Sequence, residues 1–204
     1  MFYCRDEQSP VIDGNFVVLP AVAIGAAFLA LGLRAKLRPW TILVGLAAIA
    51  HLASVAAVTL FPFPIQREVI EDGRSLRLAT NNFIPLVNTV QAIASGRYPA
   101  VFHQSAGNLL MLLPMGVYAP VLWPRLRTWR SALALGLSVS LGIEALQLLI
   151  STLLGFTYKI VDVDDVLLNS AGVMLGYLLY RLLAVWWTDI RPTDAETRST
   201  GEAG

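Results

Sequence analysis

Five long apolar blocks constrain this chain more than any other feature. They run roughly from Asn15 to Leu33, Trp40 to Leu60, Val101 to Trp123, Ser131 to Leu154 and Val166 to Trp187. Each has about the 20 residues that an α-helix needs to cross a hydrocarbon core about 30 Å thick. Lipid offers the backbone no hydrogen-bond partner, so such blocks must satisfy their own amides. The fold class that follows is an all-α, polytopic transmembrane helix bundle of about five spans, one transmembrane domain over residues 1–204.

Composition agrees. Charged residues make up 14% of the 204 positions, where soluble domains carry about a quarter, and they fall in short clusters between the blocks. A net charge of +1 gives no electrostatic footprint for nucleic acid, so none is expected as a partner. Cys4 is the single cysteine and cannot form an internal disulfide. No apolar run with a small-residue cleavage site precedes it, so neither a signal peptide nor a lipoprotein anchor is expected. Trp40, Trp123, Trp186 and Trp187 stand at block edges, where indole rings favour the membrane–water interface.

Lysine and arginine set the orientation. Arg34, Lys36 and Arg38 lie between blocks one and two, and Arg125, Arg127 and Arg130 between three and four. Arg181, Arg191 and Arg198 lie at the end of block five and after it. By the positive-inside rule these segments are cytoplasmic. The N-terminus is then outside and the C-terminus inside, and the stretch Phe61–Ala100 and the turn Gly155–Asp164 are external. Phe61-Pro62-Phe63-Pro64 stops block two. A charged section over Arg67–Arg77 follows, then the apolar Asn82–Val87, too short to span and so interfacial or re-entrant. The polar tail, 189–204, is expected to be a disordered cytoplasmic segment.

Polar residues inside the blocks need an explanation, because each must be satisfied within the protein. At helical periodicity Gly136, Ser140, Glu144, Gln147 and Ser151 share one stripe of block four. Asp165, Asn169, Gly172 and Gly176 share one on block five, and Gln104, Asn108, Met111 and Met115 align on block three. Glu144 is expected about 15 Å below the external end of block four, near the midplane, with Asn108 and Asn169 only about 5 Å deep. Asp162, Asp164 and Asp165 are expected at the surface turn beside Lys159. That pattern describes a polar pocket open to the outside and floored by Glu144, with blocks one and two as scaffold.

Simpler readings exist for several of these residues. Gly172 and Gly176 read as a helix-packing face. Asn108, Asn169 and Gln147 fit interhelical hydrogen bonding as well as a functional pocket. Asp162 or Asp164 fits an N-cap of block five. His51 reads as a packed, hydrogen-bonded histidine, and Pro114 as a kink. Glu144 is harder to reduce to structure, because packing contacts rarely need a charge at that depth.

These residues resemble a known family. Asn108-Leu-Leu-Met-Leu-Leu-Pro114-Met-Gly116, Glu144-Ala-Leu-Gln147 and Asp162-Val-Asp-Asp165-Val-Leu-Leu-Asn169-Ser-Ala-Gly172-Val-Met-Leu-Gly176 are similar to motifs of the VanZ-like family of bacterial membrane proteins. Asn82-Phe-Ile-Pro85 resembles that family's Asn-x-Ile-Pro segment, so the resemblance covers about residues 82–180. The family commonly has arginine where this chain has Lys159, which keeps the charge and loses the planar fork. The resemblance implies a multi-pass protein of the bacterial cytoplasmic membrane with a role in the cell envelope. The founding member is associated with low-level resistance to teicoplanin, a glycopeptide that acts on cell-wall precursors.

Three functions follow as alternatives. The first is a non-enzymatic envelope protein that binds a lipid-linked cell-wall precursor, a glycopeptide or another amphipathic molecule through Asn108, Glu144, Gln147, Lys159, Asp162, Asp165 and Asn169. The second is an intramembrane hydrolase or transferase acting on a lipid-linked precursor. There Asp162, Asp164 and Asp165 offer oxygen ligands of the kind a hard divalent cation takes, although Glu144 is expected to lie well below them. The third is a proton or ion pathway through Glu144. No G-x-S-x-G, H-E-x-x-H or P-loop is present, so the first is preferred, with no cofactor and no metal expected.

Overall fold

The computed structural model of the chain describes residues 11–76 and 81–190. Cys4 and the tail beyond Ile190 lie outside the described residues. Seven helices follow in order: α1 Val18–Arg34, α2 Pro39–Leu60, α3 Arg67–Leu76, α4 Val87–Ala94, α5 Tyr98–Leu122, α6 Trp129–Leu154 and α7 Val163–Ile190. Two short strands, β1 Val11–Ile12 and β2 Phe63–Pro64, pair antiparallel. Five helical segments among the described residues are long and apolar enough to cross a membrane, namely Gly14–Arg34, Pro39–Leu60, Val101–Leu122, Trp129–Leu154 and Val163–Val185. The all-α architecture and the five spans of the sequence reading are therefore present.

Local chemistry sets the helix ends. Pro39 and Pro99 occupy first-turn positions, where a missing N–H costs nothing. That lets α5 start at Tyr98, ahead of its apolar run. Thr128 and Ser131 form a reciprocal capping box at the start of α6, and Gly155 ends α6 with φ +78°. The α7 helix starts at Val163 because Asp162 caps it and Asp164 and Asp165 fill its first turn.

The core lies between α2, α5 and α7, around Ala48, Val55, Leu112, Met115, Tyr118, Ala119 and Val173. The α5 and α7 helices run parallel and nearly touch through glycine. A Cβ at Gly172 would collide with the Leu109 carbonyl, one at Gly176 with the Leu113 carbonyl, and one at Gly116 with the Val173 carbonyl. Small residues are what permit such an approach. On the lipid-facing side, leucines such as Leu149, Leu153, Leu178 and Leu182 are exposed. Among the long helices α1 packs chiefly against α2, and Gly32 is its buried residue.

The bundle has two unlike ends. One carries both basic turns, 34–38 and 125–130, and there the Tyr177 hydroxyl donates to the Arg127 carbonyl at 2.9 Å. The other, called here the loop end, carries the ends of α2 and α6, the starts of α5 and α7, and the short helices α3 and α4.

Candidate functional site

The segment 155–162 is not a surface turn. It folds back down the side of α6, and side chains supply partners for its backbone. The Tyr158 amide donates to Ser151 Oγ at 3.2 Å, and the Val161 amide to Asn81 Oδ1 at 3.1 Å. Asn82 pairs like a strand residue, its N–H to the Val161 carbonyl at 2.8 Å and its carbonyl accepting from Val163 at 3.1 Å. The Asp162 amide then donates to Glu144 Oε2 at 3.3 Å. A re-entrant backbone is tolerated at membrane depth only when protein groups satisfy it in this way.

That return path revises the expected depths. Glu144 stands ten residues before the end of α6, about 15 Å below its tip. The aspartates, placed at the surface by the apolar pattern, come down to the same level, because the polar turn is spent on descending. Asn108 likewise lies ten residues into α5, about 15 Å from the start of that helix. Asn169 is deeper than Glu144, one helical turn past Asp165 and bonded to Ser140 Oγ at 3.2 Å.

The carboxylates have distinct partners. Asp162 Oδ1 accepts from the Asp164 amide and from Asn82 Nδ2, each at 2.9 Å, which makes it the N-cap of α7. Asp164 accepts from the Leu86 amide at 2.7 Å and the Thr89 hydroxyl at 3.2 Å. Leu86 needs that hold, since its φ of +65° is left-handed and strained for a non-glycine residue. Asp165 accepts from Asn108 Nδ2 and from Gln104. Asn169 Oδ1 is buried without a hydrogen-bond partner. The positive end of the α7 dipole favours acids at this place.

Two of the candidate residues turn elsewhere. Gln147 donates to the Thr59 carbonyl at 2.9 Å, and Lys159 Nζ to the Phe61 carbonyl at 3.0 Å. Burial pushes the Lys159 ammonium below its ordinary range. The Tyr158 hydroxyl bonds the carbonyls of Leu60, at 2.9 Å, and Pro62. The end of α2, which the sequence reading gave a scaffold role, thus anchors the re-entrant segment through its free carbonyls. His51, on α2, bonds the Met111 carbonyl at 2.8 Å and the Tyr118 hydroxyl at 3.1 Å. A carbonyl only accepts, so Nε2 carries a proton and His51 ties α2 to α5.

Two cavities with one lining residue in common flank this site. A cleft of about 40 Å³ is lined by Thr89, Gln104, Ser105, Asp162, Asp164 and Asp165 among others. It has room for groups the size of a water molecule and little more. A lateral groove of about 420 Å³ runs beside it along α5, lined by Val58, His103, Gln104, Gly107, Asn108, Leu110 and Met111. Gln104 borders both, and Asn108 reaches from the groove to Asp165. Glu144 lines neither. A separate apolar groove of about 540 Å³ lies between α1 and α2. Among the described residues, no three His, Cys, Asp or Glu side chains gather closely enough to hold a metal ion.

A family model described as VanZ/LLP1 matches residues 48–184. The chain belongs to the VanZ/LLP1 family. The match starts within α2, so it takes in His51, Thr59 and Leu60 as well as all the VanZ-like motifs from Asn82 onward. Neither a curated protein nor a solved structure matches the chain significantly. Thr89 and Gly107 line these cavities but escaped the sequence reading. Thr89 follows the Asn-x-Ile-Pro segment with no motif of its own, and a lone glycine on a lipid-facing helix carries no signal.

Proposed function

We propose that this VanZ/LLP1 protein resides in the bacterial cytoplasmic membrane and binds an amphipathic or lipid-linked molecule of the cell envelope. The apolar part would occupy the α5 groove, and the polar end would meet Gln104, Asn108 and Asp165. The observation that carries this reading is that Gln104 lines both the lateral groove and the acidic cleft, while Asn108 of the groove bonds Asp165 of the cleft. A groove open to lipid admits a hydrocarbon chain without passage through water, and a few placed polar groups then fix its orientation.

Both basic turns lie at the end opposite the cleft, so the positive-inside rule supports a loop end that faces outward. The N-terminus is then external and the C-terminus cytoplasmic. Glycopeptide resistance would follow if the bound molecule were the drug or the precursor it acts on. Purification into nanodiscs, with mass spectrometry of retained molecules, tests the binding reading. The wild type should retain a non-phospholipid amphiphile that Gly107→Leu loses. Equal retention by both proteins would refute it.

An intramembrane hydrolase or transferase is the second reading. It draws support from the shared depth of Glu144 and the aspartates, which removes the separation that the sequence implied. Turnover of a polyprenyl-phosphate substrate, lost in Glu144→Gln, would favour it over simple binding.

A further inference from the structure

We propose that residues 83–94 are embedded in the bilayer as a re-entrant half-helix, with the Leu86, Val90 and Ile93 face of α4 seated against lipid acyl chains of the loop-end leaflet. Depth is the first argument. The Leu86 amide and the Thr89 hydroxyl both bond Asp164, which lies in the first turn of α7, within a helical turn of the Glu144 level. That level is about 15 Å below the tip of α6. A second measure comes from Asn108, which bonds Asp165 and lies ten residues past Tyr98. The α5 helix therefore starts about 15 Å above Asp165. The chain must climb most of that distance between Thr89 and Tyr98, and α4 supplies the climb.

Sequence is the second argument. No charged residue occurs between Arg77 and Arg97. A segment that enters and leaves hydrocarbon needs such a run, with arginines at its ends where they reach the interface. Leu86, Val90 and Ile93, at i, i+4 and i+7, form one apolar stripe. Exposure is the third argument. Phe83, Ile84, Leu86 and Val90 are each 58–66% exposed, and Ile93 is exposed as well. The exposed Phe102 continues this patch onto the α5 span. In water so broad an apolar patch invites association, whereas at the depth of Asp164 it meets lipid. The backbone also has the protein partners that hydrocarbon demands. Asn82 pairs with Val161 and Val163, the Ile84 amide donates to Asn82 Oδ1 at 3.2 Å, and the Leu86 amide to Asp164 at 2.7 Å. Pro85 has no N–H to satisfy.

The test is carbene labelling of the wild type in phosphatidylcholine nanodiscs, one protomer per disc, with a lipid-soluble adamantyl diazirine. Trypsin then cuts after Arg77 and Arg97 and releases 78–97 as one peptide. Per residue, that peptide should be labelled within about threefold of the α6 peptide 131–159. It should exceed the α3 peptide 68–74, which carries four charges in seven residues, at least tenfold, with its adducts between residues 83 and 94. Labelling of 78–97 no stronger than that of 68–74 overturns the proposal. Hydroxyl radicals generated in the water separate two ways of failing. Strong oxidation of 83–94 would place it in water, and protection from both reagents would place it under protein, a second copy or a partner; either result overturns the lipid assignment. The experiment needs no substitution, so the folding of a variant does not enter.

Discussion

The Asp162 amide donates to Glu144 Oε2 at 3.3 Å across eighteen residues of chain, and that bond fixes where α7 begins. It brings the N-terminus of one spanning helix to a level about 15 Å below the tip of its neighbour. The consequences can be tested one at a time.

Glu144→Ala leaves the buried Asp162 amide without an acceptor, a loss of about 1–3 kcal/mol. Glu144→Gln keeps an acceptor oxygen in the same place and should cost under about 1 kcal/mol by the same reasoning. Thermal unfolding of the detergent-solubilised protein reads the difference. Equal losses would mean that the bond does not hold the segment.

Glycine positions should divide sharply. Gly172→Ala drives a Cβ into the Leu109 carbonyl, so the α5–α7 pair must separate and folded yield should fall severalfold. Nothing lies within 4 Å of a Cβ at Gly142, so Gly142→Ala should be neutral or stabilise by about 0.5–1 kcal/mol through helix propensity. Size-exclusion profiles of the two variants would decide, and similar profiles would contradict the seam.

Asp164→Ala releases Leu86 from its left-handed backbone and Thr89 from its bond. Limited proteolysis should then cut within residues 83–97 faster than in wild type, while the long helices stay protected. An unchanged cleavage pattern would show that α4 is held by something else.

Lys159 gives a pH signature. Its folded pKa lies below the ordinary lysine value because of burial. Between the two values the unfolded chain binds the proton that the folded chain has released, so stability rises with pH across that alkaline window. Below it the full destabilisation by the buried ammonium remains. Lys159→Gln keeps a donor for the Phe61 carbonyl and should flatten the alkaline rise. A rise that persists in the variant would assign it to another group.

Much of this architecture was legible in the sequence because bilayer physics writes itself in long apolar runs. The five spans, the polar faces of α5, α6 and α7 and the glycines of α7 all follow from length and a 3.6-residue period. Depth was not legible. A polar stretch such as Gly155–Asp162 reads as an exposed turn, because nothing local records that Ser151, Asn81 and Glu144 will satisfy its backbone. The roles of Thr59, Leu60 and Phe61 were hidden for a related reason. They act through carbonyls at a helix end, and a main-chain acceptor has no residue type to recognise.

The central claim is that the α5 groove holds a specific amphiphile. A photo-cross-linking amino acid at Gly107, inside the groove, should be compared with one at Gly142, on α6. Both positions offer open space for a side chain. Mass spectrometry after irradiation in native membranes should find one amphiphilic species enriched at least tenfold at position 107 over position 142. The same mixture of bulk phospholipids at both positions would contradict the claim.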